Sequence, residues 1–497
     1  MEAHRALIAL VCVGAYAVAC LGVGLWALRR TRSSRDFFVA GRDLGVWVTG
    51  IAIFSSTLSG FGFVGGPGLV YRMGMTSVWI VLTSVTGYVL AFALLGKRLR
   101  LIAEARDTIS LPDAVAARYG SETARALTAL AIALGVLGYL ATQILAMATV
   151  LRDVLGAGMG WPLSLTACVA ISCAVLAFYC ATGGIIASVY TDVFQGAMMI
   201  VAALLVFLAA QSAVEGGFAG MSAALLADDP ASIGPFGSMG LWAGLSWFAL
   251  FLTSTAGQPH VITKFMMVRD PSAIRRILPV TLAGYTLSAL LWISVGLAMR
   301  TLVVQGAHPE LASADAAAPA FLQHYAHPLL AGAVFAGLFA AIMSTADAFL
   351  NIGVAAVVHD LPLALRGRAP RNELRWARWG TVLFAAVAAA FALFSHHVNE
   401  RLVALLGVFG AATFAAALVP VVALGFNWKR ATAAAANAAL AASLIINLGM
   451  ELFAVRLPWG IHGGVVAMLA SLGLFLGVPF LQKPPRLAPD IEAALEL

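Results

Sequence analysis

Four polar residues interrupt an apolar segment that extends from about residue 328 to residue 358. Ser344 and Thr345 are followed by Asp347 and Asn351. On a helix, residues three or four apart share a face, so Ser344, Asp347 and Asn351 line up. An ionisable side chain at membrane depth is costly and usually functional. Because hydroxyl, carboxylate and amide oxygens suit a hard cation such as Na+, the pattern predicts a cation site on this helix. The alternative for Ser344 and Thr345 is that they only bond carbonyls of their own helix or permit close helix packing.

The composition is that of a membrane protein. Of 497 residues, 61% are hydrophobic and only 11% are charged, and the mean hydropathy is +0.94. A transmembrane helix needs about 20 apolar residues, so we predict an all-α polytopic fold with about thirteen spans. The predicted spans are approximately residues 6–28, 44–71, 75–95, 123–151, 161–182, 187–211, 239–266, 277–303, 328–358, 377–396, 399–426, 431–455 and 459–481. The five cysteines form no CxxC pair and indicate neither a zinc site nor a disulfide framework.

The basic residues divide unequally between alternate loops. With thirteen spans, 24 of the 30 Lys and Arg residues fall on one side. The positive-inside rule then predicts a multi-pass protein of the plasma (bacterial inner) membrane, with the N-terminus outside and the C-terminus in the cytoplasm. Two loops on the other side, residues 212–238 and 304–327, contain no Lys or Arg, and we predict lids or short surface helices there.

Two predicted spans carry helix-breaking residues near mid-membrane. The second contains SSTLSG followed by Gly62, Gly65, Gly66 and Pro67, and the seventh contains TSTAGQPH at residues 253–260. Broken helices are tolerated where the freed backbone lines a cavity or an ion site, although glycines can also serve only close packing. Interrupted segments at matching positions of two halves indicate the central site of a transporter.

The two breaks lie five spans apart, which predicts two five-helix repeats of opposite orientation. The whole chain, 1–497, is then one membrane domain. Its predicted parts are an extra N-terminal helix and loop (1–43), a first repeat (44–211), an inverted second repeat (239–426) and two C-terminal helices with a short tail (427–497).

The chain resembles the sodium/solute symporter family, which includes proline, pantothenate, monocarboxylate and sugar symporters. The resemblance covers nearly the whole chain and depends on the order of seven short motifs. They are AGRDLG at 40–45, STLSG at 56–60, GGIIAS at 183–188, YTDVFQ at 190–195, GQPH at 257–260, MST at 343–345 and WKR at 428–430. The resemblance implies a leucine-transporter-like 5+5 inverted repeat. It also implies sodium-coupled symport of a small organic solute, an amino acid or a monocarboxylate, into the cytoplasm by alternating access.

The resemblance also implies positions for the ions. The main Na+ site of the family maps onto the backbone carbonyls of Ser55, Leu58 and Ala341 and the side-chain oxygens of Ser344 and Thr345. Some members bind a second sodium ion, and those positions correspond to Asp192 and Asp347. Two close carboxylates cannot both stay ionised without a cation between them. We therefore expect Asp192 and Asp347 to bind a second Na+ or share a proton; the alternative is a structural Asp347 bonded to a neighbouring helix.

The solute is expected beside the two breaks, halfway through the membrane. The candidate binding residues are Thr57, Ser59, Trp247, Phe251, Thr255 and Gln258. Proline-type members carry other residues where this chain has Thr57, Phe251 and Thr255, so the match to proline transporters is incomplete at this site. A mainly apolar pocket with few polar anchors suits a small organic acid or amino acid better than a sugar. His260 and Lys264 are possible gate residues, but we expect Lys264 to extend to the membrane interface.

Two other functions stay open. Proton coupling is suggested by Asp347, and a transporter-like solute sensor would share the fold. An enzyme is not expected, because the chain has no Walker-type GxxxxGK[ST], HExxH or GxSxG motif. The expected partners are a small-molecule solute, Na+ and the lipid bilayer, with no nucleic acid. The chain is expected to be a monomer or a weak homo-oligomer.

Overall fold

Helices account for the regular structure of the described part of the chain. The computed structural model describes residues 2–59, 65–159, 163–234, 236–398, 400–453, 455 and 457–496. Within these residues, the one β-type pairing is an isolated bridge between Leu44 and Val268. From the N-terminus to the end of the sixth predicted span, the α-helices are α1 Glu2–Leu28, α2 Ser34–Val39, α3 Val46–Thr57, α4 Gly66–Met73, α5 Trp79–Ala91, α6 Lys97–Ala105, α7 Leu111–Tyr119, α8 Glu122–Met159 and α9 Leu165–Ala213.

Twelve further α-helices follow in the spans, loops and tail of the rest of the described chain. They are α10 Gly217–Asp228, α11 Leu241–Gly257, α12 Pro259–Met266, α13 Ile274–Val304, α14 Ala317–His324, α15 Pro328–Ala355, α16 Leu361–Arg366, α17 Glu373–Val398, α18 Glu400–Leu418, α19 Ala433–Leu452, α20 Gly463–Gly477 and α21 Pro489–Leu495. Three π-helical turns continue helices α5, α15 and α18, at Phe92–Gly96, Ala356–Asp360 and Val419–Leu424. Helices α10 and α14 lie in the two long loops, where short surface helices are predicted.

Each of the thirteen predicted spans contains helix. Nine helices of the described residues are long and apolar enough to cross a membrane. The difference from thirteen has two causes. The fifth and sixth predicted spans follow each other within α9, with a kink between them at Gly184. The second, seventh and eleventh spans contribute only shorter apolar helices to the part of the chain that is fully described, such as Phe409–Leu424 in the eleventh.

The second and seventh spans are interrupted where the sequence predicts. Helix α3 ends at Thr57, and Leu58 has left the helical region with φ −77° and ψ 82°. Helix α11 ends at Gly257, and Gln258 is extended with ψ 115° before Pro259 opens α12. A residue before proline is disfavoured in the α region, and proline suits a first helical turn, so Gln258-Pro259 ends one helix and begins the next.

Gly184 makes the turn inside α9 that separates the fifth and sixth predicted spans. Its φ of +54° and ψ of −143° lie outside the helical region, in a conformation that favours glycine. A Cβ atom at this position would also lie 2.6 Å from the carbonyl oxygen of Phe37. The GGIIAS motif thus permits a sharp change of direction packed tightly against α2.

Helix α15, the ninth predicted span, is the central element of the bundle. In its apolar window 83% of the residues are buried inside the protein, compared with 28% for α1. It packs against α1, α3, α8 and α9. The polar residues of α15 therefore face other helices rather than lipid.

Candidate cation and solute site

The hydroxyl of Ser344 meets the broken end of the second span. Its Oγ lies 2.9 Å from the carbonyl oxygen of Ser55 on α3 and 2.9 Å from that of Ala341, one turn earlier on α15. Ser55 and Ser344 are fully buried. Three of the five predicted Na+ ligands therefore belong to one contact between α3 and α15.

The other two predicted Na+ ligands border this contact. Thr345 Oγ1 lies 3.2 Å from the Ala341 carbonyl, and Leu58 is the first residue beyond α3, buried at 2% exposure. A hydroxyl that now donates to a carbonyl can rotate and offer a lone pair to a cation. The chemistry of this oxygen set fits a small hard cation.

Lys264 does not extend to the membrane interface, and this expectation is wrong. Its ammonium lies 2.6 Å from the carbonyl oxygen of Ala52, 2.6 Å from Ser56 Oγ and 3.0 Å from Asp192 Oδ2. Its side chain is only 1% exposed. The reason is packing: the short helix α12 lies against α3 and α6, so protein rather than solvent surrounds the end of the Lys264 chain.

Asp347 has a separate set of partners, all hydroxyl groups of α9. Tyr179 Oη donates to Oδ2 at 2.6 Å, and Ser188 Oγ donates to Oδ1 at 2.7 Å. Thr191 Oγ1 lies 3.4 Å from Oδ2. Asp192 belongs to the same helix α9, but its carboxylate bonds Lys264 instead, and its Oδ1 is buried with no hydrogen bond. The predicted second cation site stays a prediction.

Two of the predicted solute residues, Thr57 and Ser59, flank the break at Leu58 in the second span. Tyr139 of α8 donates to Ser59 Oγ at 3.2 Å, and Thr57 Oγ1 lies 3.5 Å from His260 Nε2. The ring of Phe349 of α15 lies 4.6 Å from that of Tyr139 and 4.5 Å from that of His260. Aromatic rings therefore pack beside the break in the second span.

The other four solute candidates lie on α11 or at its C-terminal end. Gln258 lies at the break, and its buried Oε1 has no hydrogen-bond partner. Thr255 packs against Gly87 of α5. Trp247 and Phe251 stack obliquely with ring centres 5.4 Å apart. Both line a small pocket between α5 and α11, whose other lining residues include Thr76, Trp79, Thr83 and Phe248. Trp247 and Phe251 therefore line this pocket, whereas Thr255, Gln258, Thr57 and Ser59 lie closer to the two breaks.

Several residues at the site were not predicted from the sequence. Tyr179, Tyr139 and Phe349 are separated from their partners by many residues and carry no local signal. Lys264 did carry one, because an ionisable residue within a predicted apolar span calls for a partner. The same argument that selected Asp347 could have paired Lys264 with Asp192.

Comparison with known proteins identifies the family of this chain. The model of the sodium:solute symporter family matches residues 37–445. The chain is 29% identical over 432 residues to the osmoregulated proline transporter of Bacillus subtilis, covering 85% of this chain and 84% of that one. It is 27% identical over 469 residues to the sodium/pantothenate symporter of Escherichia coli, covering 93% and 94%.

Solved structures share the fold. The structure of a Na+-coupled sialic acid symporter in a substrate-bound, outward-open state superposes with a TM-score of 0.80 at 19% identity, covering 97% of this chain and 99% of that one. A nucleobase-cation symporter in a closed conformation gives a TM-score of 0.54 at 15% identity, with coverage of 93% and 98%. The fold is the predicted leucine-transporter-like one, and the chain belongs to the sodium:solute symporter family.

Proposed function

We propose that this sodium-coupled transporter imports a small organic solute, an amino acid or a monocarboxylate, with Na+ bound where α3 meets α15. The observation that carries the proposal is the contact of Ser344 Oγ with the Ser55 carbonyl at the broken end of α3. Ser55 and Ser344 are both buried. Because they belong to different repeats of the predicted pair, a cation bound between them would bridge the two repeats. The proposed ligands are the carbonyls of Ser55, Leu58 and Ala341 and the hydroxyls of Ser344 and Thr345.

The bridging position supplies the coupling in this proposal. A cation that holds α3 to α15 stabilises the conformation in which the two helices are close, and a ligand shifts a conformational equilibrium only through such differential binding. Solute binding beside the same break then favours closure. Moving one Na+ inward is worth about 2.3 kcal/mol per 100 mV of membrane potential, before the concentration gradient is added.

We assign the solute path to a track from the α5–α11 pocket to the central break. Trp247 and Phe251 line its outer part, and Thr255, Gln258, Thr57 and Ser59 follow inward. The free Oε1 of Gln258 and the hydroxyls of the break offer a few polar anchors in apolar surroundings, which suits a small zwitterion or acid. The named relatives transport proline and pantothenate, which supports this solute class.

The charge distribution supports an orientation with the N-terminus outside and the C-terminus in the cytoplasm. In this orientation the α5–α11 pocket opens towards the outside, because its residues border the loops with few basic residues. Solute and Na+ then enter from the same side, as symport into the cytoplasm requires.

Proton coupling at Asp347 is the second candidate. A buried carboxylate whose partners are hydroxyls can accept a proton without breaking an ion pair, because Lys264 pairs with Asp192 instead. In this second mechanism, Asp347 binds H+ or a second Na+ in addition to the Na+ bound at Ser344.

The decisive experiment is solute uptake into proteoliposomes containing the full chain. The panel contains proline, other amino acids, pantothenate, sialic acid and short monocarboxylates. We expect one class to accumulate with inward Na+ at least tenfold above choline at fixed pH, and faster at an inside-negative potential. If a pH gradient drives solute accumulation in choline buffer without Na+, the coupling ion is H+ rather than Na+. Saturable, sodium-dependent binding without accumulation would favour a sensor.

A further inference from the structure

A cluster of charged side chains lies at the end of α15 that is remote from the proposed Na+ site. It contains Asp113 of α7, Arg125 of α8, His359 and Asp360 of the π turn after α15, and Glu373 of α17. Asp360 and Thr345 are fifteen residues apart on this helix, which is about 22 Å at 1.5 Å per residue. The cluster is therefore a separate site.

Three of these side chains present ligand atoms to one point. Nitrogen or oxygen atoms of Asp113, His359 and Asp360 all lie within 4.8 Å of one another, and all three residues are buried. Asp360 is fully buried, and its Oδ2 has no hydrogen-bond partner. An unpaired carboxylate oxygen in such a place is costly unless something positive binds it. The π turn that aims His359 and Asp360 is itself a feature often found at functional sites.

The two nitrogens of His359 both face carboxylates. Nδ1 lies 2.5 Å from Glu373 Oε1, and Nε2 lies 2.9 Å from Asp113 Oδ2. A metal-bound histidine usually donates its other N–H to a carboxylate, which is the arrangement with Glu373. If Nδ1 carries the proton, the Nε2 lone pair faces an Asp113 oxygen, and a cation between the two acceptors resolves the conflict.

The surrounding groups hold the ligands in place and leave a net negative charge. Ser110 Oγ donates to Asp360 Oδ1 at 2.5 Å, and Arg125 bonds Asp113 Oδ1. Asp113, Asp360 and Glu373 carry three negative charges, and Arg125 carries one positive charge that it also shares with the exposed Glu122. With neutral His359 the cluster carries two uncompensated negative charges, which a divalent cation would balance.

We propose that Asp113 Oδ2, His359 Nε2 and Asp360 Oδ2 form a binding site for a divalent transition-metal ion. One imidazole and two carboxylates suit Zn2+ or Mn2+, whereas Na+ prefers oxygen ligands alone. The ion would join the end of α15 to α7, and Arg125 and Glu373 would orient its ligands. This site is independent of the transported solute and of the proposed Na+ site.

The first test is the metal content of the purified full-length protein, before and after chelation. After dialysis against EDTA and then metal-free buffer, Zn2+ and Mn2+ are added back singly, and bound metal is measured by mass spectrometry. We expect the wild type to bind about one equivalent of one of these metals. We also expect its melting temperature to be several degrees higher with that metal than after chelation. Less than a tenth of an equivalent of bound metal and no shift in melting temperature would overturn the proposal.

Variants locate the ion. Asp360→Asn and His359→Gln should each lower bound metal at least fivefold, whereas Asp490→Asn, a carboxylate on the C-terminal helix α21, should leave it unchanged. Equal binding by all variants would place the metal elsewhere and overturn the proposal. If the cluster variants do not fold, X-ray absorption on the metal-loaded wild type decides: one imidazole among nitrogen and oxygen ligands supports the site, and no imidazole contradicts it.

Discussion

The ammonium nitrogen of Lys264 lies 3.0 Å from Asp192 Oδ2, and neither side chain is more than 1% exposed. The pair joins α12, just beyond the break in the seventh span, to the middle of α9. The same ammonium bonds the Ala52 carbonyl and Ser56 Oγ of α3. Lys264 therefore ties together both interrupted spans and the helix that carries Asp192.

Removing one partner of this pair should be far more damaging than removing both. Lys264→Met leaves an unpaired buried carboxylate, which typically costs about 3–5 kcal/mol of stability. We expect a large fall in melting temperature for Lys264→Met and recovery of a good part of it in Lys264→Met/Asp192→Asn. Thermal unfolding in detergent measures both.

The matched control for Lys264 is Lys429→Met. Lys429 pairs with Glu496 at 2.6 Å, but its side chain is 41% exposed, so water replaces the lost partner and its loss should change the melting temperature little. A melting temperature of Lys264→Met equal to that of Lys429→Met would show that the buried pair has no structural role.

Ser344→Ala should weaken Na+ activation of transport selectively. The change removes one of five proposed ligands and the partner of the Ser55 carbonyl. We expect the Na+ concentration for half-maximal uptake to rise about tenfold, equivalent to about 1.4 kcal/mol. Ser294→Ala is the control, because Ser294 is also buried but bonds only Leu291 within α13. Unaltered Na+ dependence in Ser344→Ala would exclude the hydroxyl as a ligand.

Asp347→Asn should change the number of coupling cations. If Asp347 carries a second Na+ or a proton, the ratio of charge to solute moved should fall by one. Tyr179→Phe is the comparison, because it removes a hydrogen bond at 2.6 Å but keeps the carboxylate, and it should keep the ratio. Simultaneous measurement of current and labelled solute in liposomes gives this ratio. The same ratio in Asp347→Asn and the wild type would make Asp347 a structural residue.

Docking of the C-terminal helix α21 should depend on pH. Arg106 bonds both carboxylate oxygens of Asp490, at 2.5 and 2.8 Å, and the guanidinium holds the pKa of Asp490 below its usual range. A carboxylate with a depressed folded pKa stabilises the docked state above its unfolded pKa of about 4 and loses this effect as the pH falls through the lower value. Docking should therefore be firm at neutral pH and weaken below about pH 4.

Hydrogen exchange of the α21 amides, corrected for intrinsic rates, tests this dependence. Asp490→Asn should give at pH 7 the faster exchange that the wild type shows only in acid. Asp270→Asn, which removes a carboxylate bonded to Ser272 instead, should not. Slow exchange in Asp490→Asn would mean that the buried Ile491 and Leu495 suffice to hold the helix.

Much of this protein could be predicted from local sequence. The thirteen spans follow from apolar length, because each backbone in lipid must satisfy its own hydrogen bonds. The breaks at Leu58 and Gln258 follow from glycine and proline chemistry. Ser344 and Asp347 stand out because polar residues at membrane depth are costly. These are properties of single segments, and each segment contains its own signal.

Only the tertiary structure decides which polar groups become partners. Lys264 looks like an interface residue in its own segment, yet α12 packs so that its ammonium reaches Asp192, 72 positions earlier. Asp347 is likewise bonded by Tyr179 and Ser188 rather than by Asp192. The cluster of Asp113, His359 and Asp360 joins residues nearly 250 positions apart. Helix packing sets these pairings, because a difference of a few ångströms in side-chain position determines whether a charged group contacts a counter-charge, a hydroxyl group or a candidate ion.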